Sequence, residues 1–369
     1  MSCCALALGL AAAPEASGQT TWQGDAPDPD GTNWFVGENW NTGIVPGIGG
    51  VINVDVDIVN AVTNQPIIDG SDPLDEFVNL GTGEIQVDRG LLTIRNEGEL
   101  GNYLGRIGQE LGSNGAVTVT GDRSLWENTS NLFVGQDGTG MLNIEDGGAV
   151  TSVSVYMGYG SDSRGEVRVT GDGSIWDITG NHYIGSSSTA ILTVADGGTV
   201  FTGGSAYMGF SDTGNGEVTV TGDDSEWRVG AQLVVGSLGT GILTIADRGT
   251  VTVGGGTGVV RIAHIGGSFG TVNIGAPLGA TPVAPGTLNA GPLEFGEGTA
   301  TLNFNHTDES GGFEFAPGVS GFGTINHVSG FTNFTGNSSG FMDTTNVNGG
   351  TLSVNNVLGG TVIVDGGRL

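Results

Sequence analysis

Gly115-Ala-Val-Thr-Val-Thr-Gly-Asp-Arg-Ser-Leu-Trp126 returns as Gly165-Glu-Val-Arg-Val-Thr-Gly-Asp-Gly-Ser-Ile-Trp176 and again as Gly216-Glu-Val-Thr-Val-Thr-Gly-Asp-Asp-Ser-Glu-Trp227, which sets three tryptophans at a near-constant interval. A second motif fills the gaps: Gly140-Met-Leu-Asn-Ile-Glu-Asp-Gly-Gly-Ala-Val150, Ala190-Ile-Leu-Thr-Val-Ala-Asp-Gly-Gly-Thr-Val200 and Gly241-Ile-Leu-Thr-Ile-Ala-Asp-Arg-Gly-Thr-Val251. The lead positions 90, 115, 140, 165, 190, 216 and 241 step by 25 with a single 26, so one repeat unit in two alternating flavours accounts for all of them. A third element completes each unit, as in Phe133-Val-Gly135, Tyr156-Met-Gly158, Tyr183-Ile-Gly185, Tyr207-Met-Gly209 and Val234-Val-Gly236.

Each unit therefore holds three short β segments. Val117 and Val119, Leu142 and Ile144, and Val167 and Val169 alternate with polar residues, the period-2 pattern of strands with one buried face. Asp-Gly, Gly-Gly and Gly-Asp pairs punctuate them and supply positions where positive φ costs little. Helical periodicity is absent. Three short strands and three turns in a fixed period predict one coil per unit, with successive coils paired in parallel about 4.8 Å apart. The expected fold is all-β, a parallel β-helix (β-solenoid) with coils of about 25 residues. From about residue 45 onward roughly 13 coils would give a rod on the order of 60 Å.

The organisation along the chain follows from where the repeat starts and changes. Residues 51–275 read as the regular solenoid. Before it, residues 19–50 are aromatic and irregular, with Thr21-Trp-Gln-Gly24 and Asn33-Trp-Phe-Val-Gly-Glu-Asn-Trp40, and read as an N-terminal cap over the first coil. After it, Pro277, Pro282, Pro285 and Pro292 interrupt the register, and residues 276–369 form a looser second repeat with units such as Gly298-Thr-Ala-Thr-Leu-Asn-Phe304 and Gly360-Thr-Val-Ile-Val364. The pattern is still running at Leu369, so the chain is expected to be a piece of a longer reading frame. Residues 1–18, apolar and then small, read as a secretory signal with its basic leader truncated. Cys3 and Cys4 both lie inside it, which leaves the mature chain free of thiols.

Charge narrows the functions. The 369 residues carry 39 Asp and Glu against 10 Arg and no Lys, a formal charge of −29. Nucleic acid is excluded as a partner because phosphate binding needs clustered cations, and no two Arg here are closer than four positions. No stretch is long and apolar enough for a membrane-spanning helix.

Candidate chemistry repeats with the coil, which argues against catalysis. Gly171-Asp-Gly-Ser174 resembles a serine nucleophile segment, but Ser124 and Ser225 occupy the same phase, and His182, His264, His306 and His327 share no phase with them. A turn explains all three serines. Paired carboxylates could act on glycans from Asp122, Asp172, Asp223 and Asp224, or from Glu145, Asp146, Asp196 and Asp247; these too recur as turn formers. The nonapeptide array of calcium-binding rolls is missing, and Gly135-Gln-Asp-Gly-Thr-Gly140 lacks the spacing and helix of a phosphate loop. Trp126, Trp176 and Trp227, on every second coil, are expected to pack in the core or at corners rather than to stack on sugars. His264, in Ala263-His-Ile-Gly266, is expected to be an ordinary wall residue. No catalytic, cofactor-binding or metal-binding residue is assigned, and the chain is not expected to be an enzyme.

The Gly-Glu-Val-x-Val-Thr-Gly-x-x-Ser-x-Trp and Gly-x-Leu-x-Ile-x-Asp-Gly-Gly units resemble the repeats shared by type V secretion passengers and PEP-CTERM-associated surface proteins. The run from Gly286-Thr-Leu-Asn-Ala-Gly-Pro-Leu-Glu-Phe-Gly296 through Leu302-Asn-Phe-Asn-His306 to Gly349-Gly-Thr-Leu-Ser-Val-Asn355 is similar to autotransporter-associated strand repeats, and Asn39-Trp-Asn-Thr-Gly-Ile-Val-Pro-Gly47 recurs near the start of such passengers. The resemblance implies a right-handed parallel β-helix, exported by a Gram-negative bacterium and displayed at the cell surface or secreted. It implies a stalk or adhesin-like module with an unknown surface ligand, a glycan or a host or matrix protein, and an outer-membrane β-barrel translocator that this chain does not contain. The alternatives are a secreted PEP-CTERM-type envelope or matrix protein and a β-helix enzyme acting on polysaccharide.

Overall fold

The computed structural model describes residues 20–21, 40, 56–58, 66–70 and 77–369; among them it is all β apart from one 3-10 turn, Gly254–Gly256. The expected signal, residues 1–18, lies outside the described residues. So does the expected cap, except for Thr20–Thr21, which pairs in parallel with Val56 and Asp57, and Trp40, which is buried in the main core.

Three parallel sheets of 13, 12 and 9 strands run along the repeat axis, a β-solenoid as the period demands. One coil shows how the sequence builds it. Asn114–Thr120 is a seven-residue strand, residues 121–124 turn the corner, and Leu125–Asn128 forms a four-residue strand on a second sheet. Leu132–Val134 then adds a three-residue strand to the third sheet, and residues 135–138 bring the chain to Thr139, directly paired with Asn114 one coil on. Alternation sends Val117, Val119, Trp126, Leu132 and Val134 inward, all at 0% exposure. The pairing then runs from Asn114 to Thr139, Arg164 and Thr189 in equal steps along the sequence, so the backbone period is the period of the motifs.

The two flavours differ in their corners. Coils with tryptophan turn through four residues (121–124, 171–174, 222–225); those between turn through three (146–148, 196–198, 247–249). In register on the four-residue sheet, Trp126, Trp176 and Trp227 alternate with Val150, Val200 and Val251. An indole is wider than one layer, and a small neighbour above and below leaves it room. Gly105 is part of that room, since a Cβ there would come within 2.9 Å of Trp126. The ring N–H also needs a partner, and the preceding coil provides it: Trp126 Nε1 donates to Asn102 Oδ1 at 2.7 Å and Trp227 Nε1 to Thr202 Oγ1 at 3.2 Å. At the matching place in the middle coil, Trp176 Nε1 and Ser152 Oγ are both buried and unpaired.

Glycine opens most of the long strands for a steric reason. A Cβ on Gly115 would sit 1.8 Å from the Val87 carbonyl oxygen, because the chain crosses there into the neighbouring coil.

Beyond residue 268 the coil changes size. Gly241 pairs with Gly270 and Gly270 with Ala300, longer circuits than any earlier one on the long-strand sheet. Thr301 then pairs with Thr324, Thr324 with Thr344, and Thr344 with Thr361, each circuit shorter than the one before. The long-strand sheet runs through the expected boundary at 275 and 276 unbroken, since Phe269–Gly275 pairs with Thr299–Asn305. The extra length of the large coils folds back on the outside of this sheet: Asp247 N–H donates to the Ala284 carbonyl at 2.8 Å, and Asn305 Nδ2 to the carbonyls of Pro277 and Ala280. The four-residue sheet ends at Thr287–Asn289, and Phe313–Phe315, Phe331–Phe334 and Thr351–Val354 make a separate three-stranded sheet. Phenylalanine replaces the aliphatic triads: Phe304, Phe315 and Phe334 are buried with centroids 5.0 to 6.1 Å apart. A column of amides, each donating to the residue one coil earlier, runs from Asn273 through Asn303 and Asn326 to Asn346 at 2.8 to 3.0 Å.

Candidate functional site

The turn after each long strand gathers most of the sequence's candidate chemistry, and its geometry assigns those groups to the turn itself. Ser124, Ser174 and Ser225 are 0%, 0% and 1% exposed. Each hydroxyl accepts from a backbone N–H of the preceding coil's corner, that of Glu97 at 3.2 Å, Gly147 at 3.0 Å and Gly197 at 3.1 Å. Ser174 also donates to the Thr170 carbonyl at 2.7 Å. A buried hydroxyl stapling two coils is no exposed nucleophile.

The aspartates of the same corner have structural parts, while Glu145 is the last residue of the strand before it. Asp146, Asp196, Asp224 and Asp247 hold φ of 51°, 51°, 60° and 46°, the left-handed region that Asp tolerates better than most side chains. Asp122 and Asp172 lie over the next coil, where a Cβ on Gly147 or Gly197 would come within 2.3 and 2.1 Å of their Oδ1. Glycine stands there in two of the three such corners, and in the third Arg248 takes the place at φ 67° and pairs with Asp223. The column is exposed and braced by Thr170 Oγ1 on Asp196 at 3.1 Å, Thr221 Oγ1 on Asp247 at 3.2 Å and Arg248 on Asp223 at 2.6 Å. Shallow open depressions lie along it, one lined by Asp223, Asp224, Ser225, Glu226, Arg248 and Thr250. Among the described residues no three His, Cys, Asp or Glu side chains cluster as a metal ion would need.

The histidines lie elsewhere. His182 faces the core, where burial pushes its imidazole down to about 3; Nε2 sits 3.3 Å from Met157 Sδ, and the ring packs edge-on to Trp176. His306 and His327 share the Thr332 hydroxyl at 2.8 and 3.1 Å. Burial, and then the neighbouring His327, lower His306 to about 4, and burial lowers His327 against the opposing pull of the Gly349 carbonyl. His264, expected in the wall, stands in the return turn beyond Val260–Ile262, because Arg261 holds the outward wall position of that coil. The three repeat tryptophans are wholly buried and offer no face to a ligand.

The x-x-Gly element carries the most distinctive outer surface. Its first residue is the single outward side chain of each three-residue strand, and parallel register stacks these into a column: Phe133, Tyr156, Tyr183 and Tyr207. Their rings lie 5.0, 4.8 and 5.5 Å apart and within 13° of parallel. Two further rings come from the return turns. Tyr159 meets Phe133 and Tyr156 at 5.3 and 5.8 Å and near 90°, and Phe210 meets Tyr183 and Tyr207 at 4.8 and 5.7 Å. The motif was visible in sequence as a repeat. Its meaning as a column was not, because only register shows that the aromatic positions coincide.

Parts of the chain are similar to known proteins. Part of the chain is 33% identical over 137 residues to the uncharacterized lipoprotein YdeK of Escherichia coli (strain K12), a match covering 36% of this chain and 10% of that protein. A stretch of 148 residues is 32% identical to the adhesin BmaC autotransporter of Brucella suis biovar 1 (strain 1330), covering 38% of this chain and 4% of that protein. The matched regions are thus a tenth or less of these relatives. No family model matches the chain, and no solved structure matches it. The β-solenoid together with these relatives is consistent with an autotransporter passenger domain.

Proposed function

We propose that this chain is an exported surface module of a Gram-negative bacterium, a non-enzymatic β-solenoid stalk or adhesin-like segment of an autotransporter passenger. The observation that carries the reading is the coil itself. In the regular half every strand pairs in parallel with its counterpart one repeat away, so each coil folds on the one before it and needs no distant partner. Such a body suits a chain that crosses an outer membrane unfolded and folds as it emerges. The turn serines and aspartates support the same reading, since they have structural parts in the corners they occupy. An adhesin among the relatives supports surface display, and the lipoprotein relative supports an envelope setting.

The translocating barrel is part of the proposal. Reading the genomic DNA past the Leu369 codon tests it: alternating strands of about 10 residues identify an autotransporter, whereas a short apolar helix with an Arg-rich tail identifies a sorting-signal envelope protein. Surface display is tested on intact cells. Antibody raised against residues 77–369 should label unpermeabilised cells, and labelling only after permeabilisation overturns the reading.

A further inference from the structure

We infer that the outer face of the short-strand sheet is a binding strip for a neutral, extended glycan, with Tyr159 and Phe210 as its two stacking platforms. The inference deepens the surface-module reading by naming a ligand class, and it rests on that reading only for where the ligand is met.

Phe133, Tyr156, Tyr183 and Tyr207 cover one another's faces, so along the column only ring edges and phenol hydroxyls reach solvent. The second layer is different. Tyr159 sits astride two rungs, perpendicular to both at nearly equal distances, and centroids that close need the rung edges to meet its face. Its opposite face is turned outward, and the residue is 46% exposed; Phe210 repeats the arrangement at 40%. Stacking the rungs would by itself staple the coils. Two more rings laid over them add apolar faces in water, which is the arrangement that receives the flat C–H face of a sugar.

These platforms are fixed. Both rings follow a left-handed glycine, Gly158 and Gly209, and their N–H groups donate to the carbonyls of Gly135 and Gly185 at 3.0 Å. They occur only in the longer return turns, 158–163 and 209–214, one in every second coil, and so stand about 10 Å apart along the axis. That spacing is close to a two-sugar step in an extended β-linked chain. The rungs that carry the platforms add hydroxyls at the rung spacing, those of Tyr156, Tyr183 and Tyr207. Asn181 Nδ2 donates to Tyr183 Oη at 3.1 Å and Gln232 Nε2 to Tyr207 Oη at 3.4 Å, which orients both phenols and leaves their O–H groups to donate outward. Asp137, Asp162 and Asp212, exposed in the return turns that follow these strands, are further acceptors for sugar hydroxyls at the edge of the strip. Repeated equivalent groups at a constant rise match a ligand that is itself a repeat. The charge of −29 without lysine turns polyanionic glycans away.

Purified protein in native gels containing hydroxyethylcellulose, a soluble β-1,4-glucan, or galactomannan tests the strip. Retardation by at least one of them is expected, with none by alginate. Tyr159→Ala with Phe210→Ala should weaken it about tenfold or more, with the double variant still folded by circular dichroism at the temperature of the gel. Tyr183→Phe, which keeps the stack and removes one hydroxyl, should weaken it less, and Thr193→Ala on the long-strand sheet should leave it unchanged. Absence of retardation in both gels, retardation indifferent to the double variant, or binding of polyarginine in place of the glycans would each overturn the inference. Surface display is read on cells, so either proposal can fail while the other stands.

Discussion

The coils between Asn114 and Ser268 and those after Phe269 solve the same problem with different materials. In the first group the repeat is nearly constant, and each layer is filled by aliphatic side chains with a tryptophan in every second one. In the second the coil swells and then narrows until Thr344 pairs with Thr361. Phe304, Phe315, Phe334 and Phe341 fill what remains, and polar groups move inward: His306, His327, Thr332 and Thr345 are at 0% exposure. Side-chain hydrogen bonds along the asparagine column join those coils where apolar area is less. A solenoid can thus keep one continuous sheet while its filling changes from aliphatic to aromatic and polar side chains and an amide ladder runs along the outward side.

The comparison breaks most severely at the centre of the regular half. Trp176→Ala removes a fully buried indole whose neighbours are locked by coil register, and should destabilise by about 3–5 kcal/mol, measured by chemical denaturation. Hydrogen exchange should show amides near residues 150–200 losing protection before those near 303–346.

Acid acts on both halves but more on the second, which has two of the three buried histidines. Their folded pKa values lie below the unfolded value of about 6.5, so the unfolded state binds protons the folded state refuses. Their contribution is intact above about 6.5 and is lost as pH falls toward the folded values of about 3 for His182 and about 4 for His306. The denaturant midpoint should fall through that window. His182→Leu should reduce the slope; an unchanged pH profile would count against burial of a neutral ring.

A finer probe sets the two halves of one outward column side by side. Asn303 is 2% exposed, donates to Asn273 Oδ1 and accepts from Asn326 Nδ2, so Asn303→Ala should cost about 1–3 kcal/mol. Thr193→Ala, the same column in the regular half, should stay within about 0.5 kcal/mol. Smallest of all, Arg248→Gln breaks an exposed pair with Asp223 and should leave the melting temperature where it was.

The regular half was legible because its information is local and repeated. Period, strand alternation and the phase of Trp126 and Ser124 follow from three aligned segments, and inward and outward faces follow from alternation. The second half was legible only as a change of texture. Pro277 to Pro285 read as an interruption, yet their folding over the long-strand sheet depends on contacts with Asn305 and Asp247 that no periodicity announces. The same limit hid the aromatic strip. Each Tyr-x-Gly could be read, but the perpendicular rings of Tyr159 and Phe210 come from turns whose length differs between flavours.

The alternation of tryptophan and valine layers sets the step by which such a protein can change in length over generations. Recombination that removes the single coil 139–163 would bring Trp126 and Trp176 into adjacent layers with no small residue between, an overpacked core. Removing the pair 139–188 would instead set Trp126 beside Val200 and restore the sequence of large and small. Inheritance should therefore lengthen or shorten this rod by two coils at a time, even though its backbone repeats with every one.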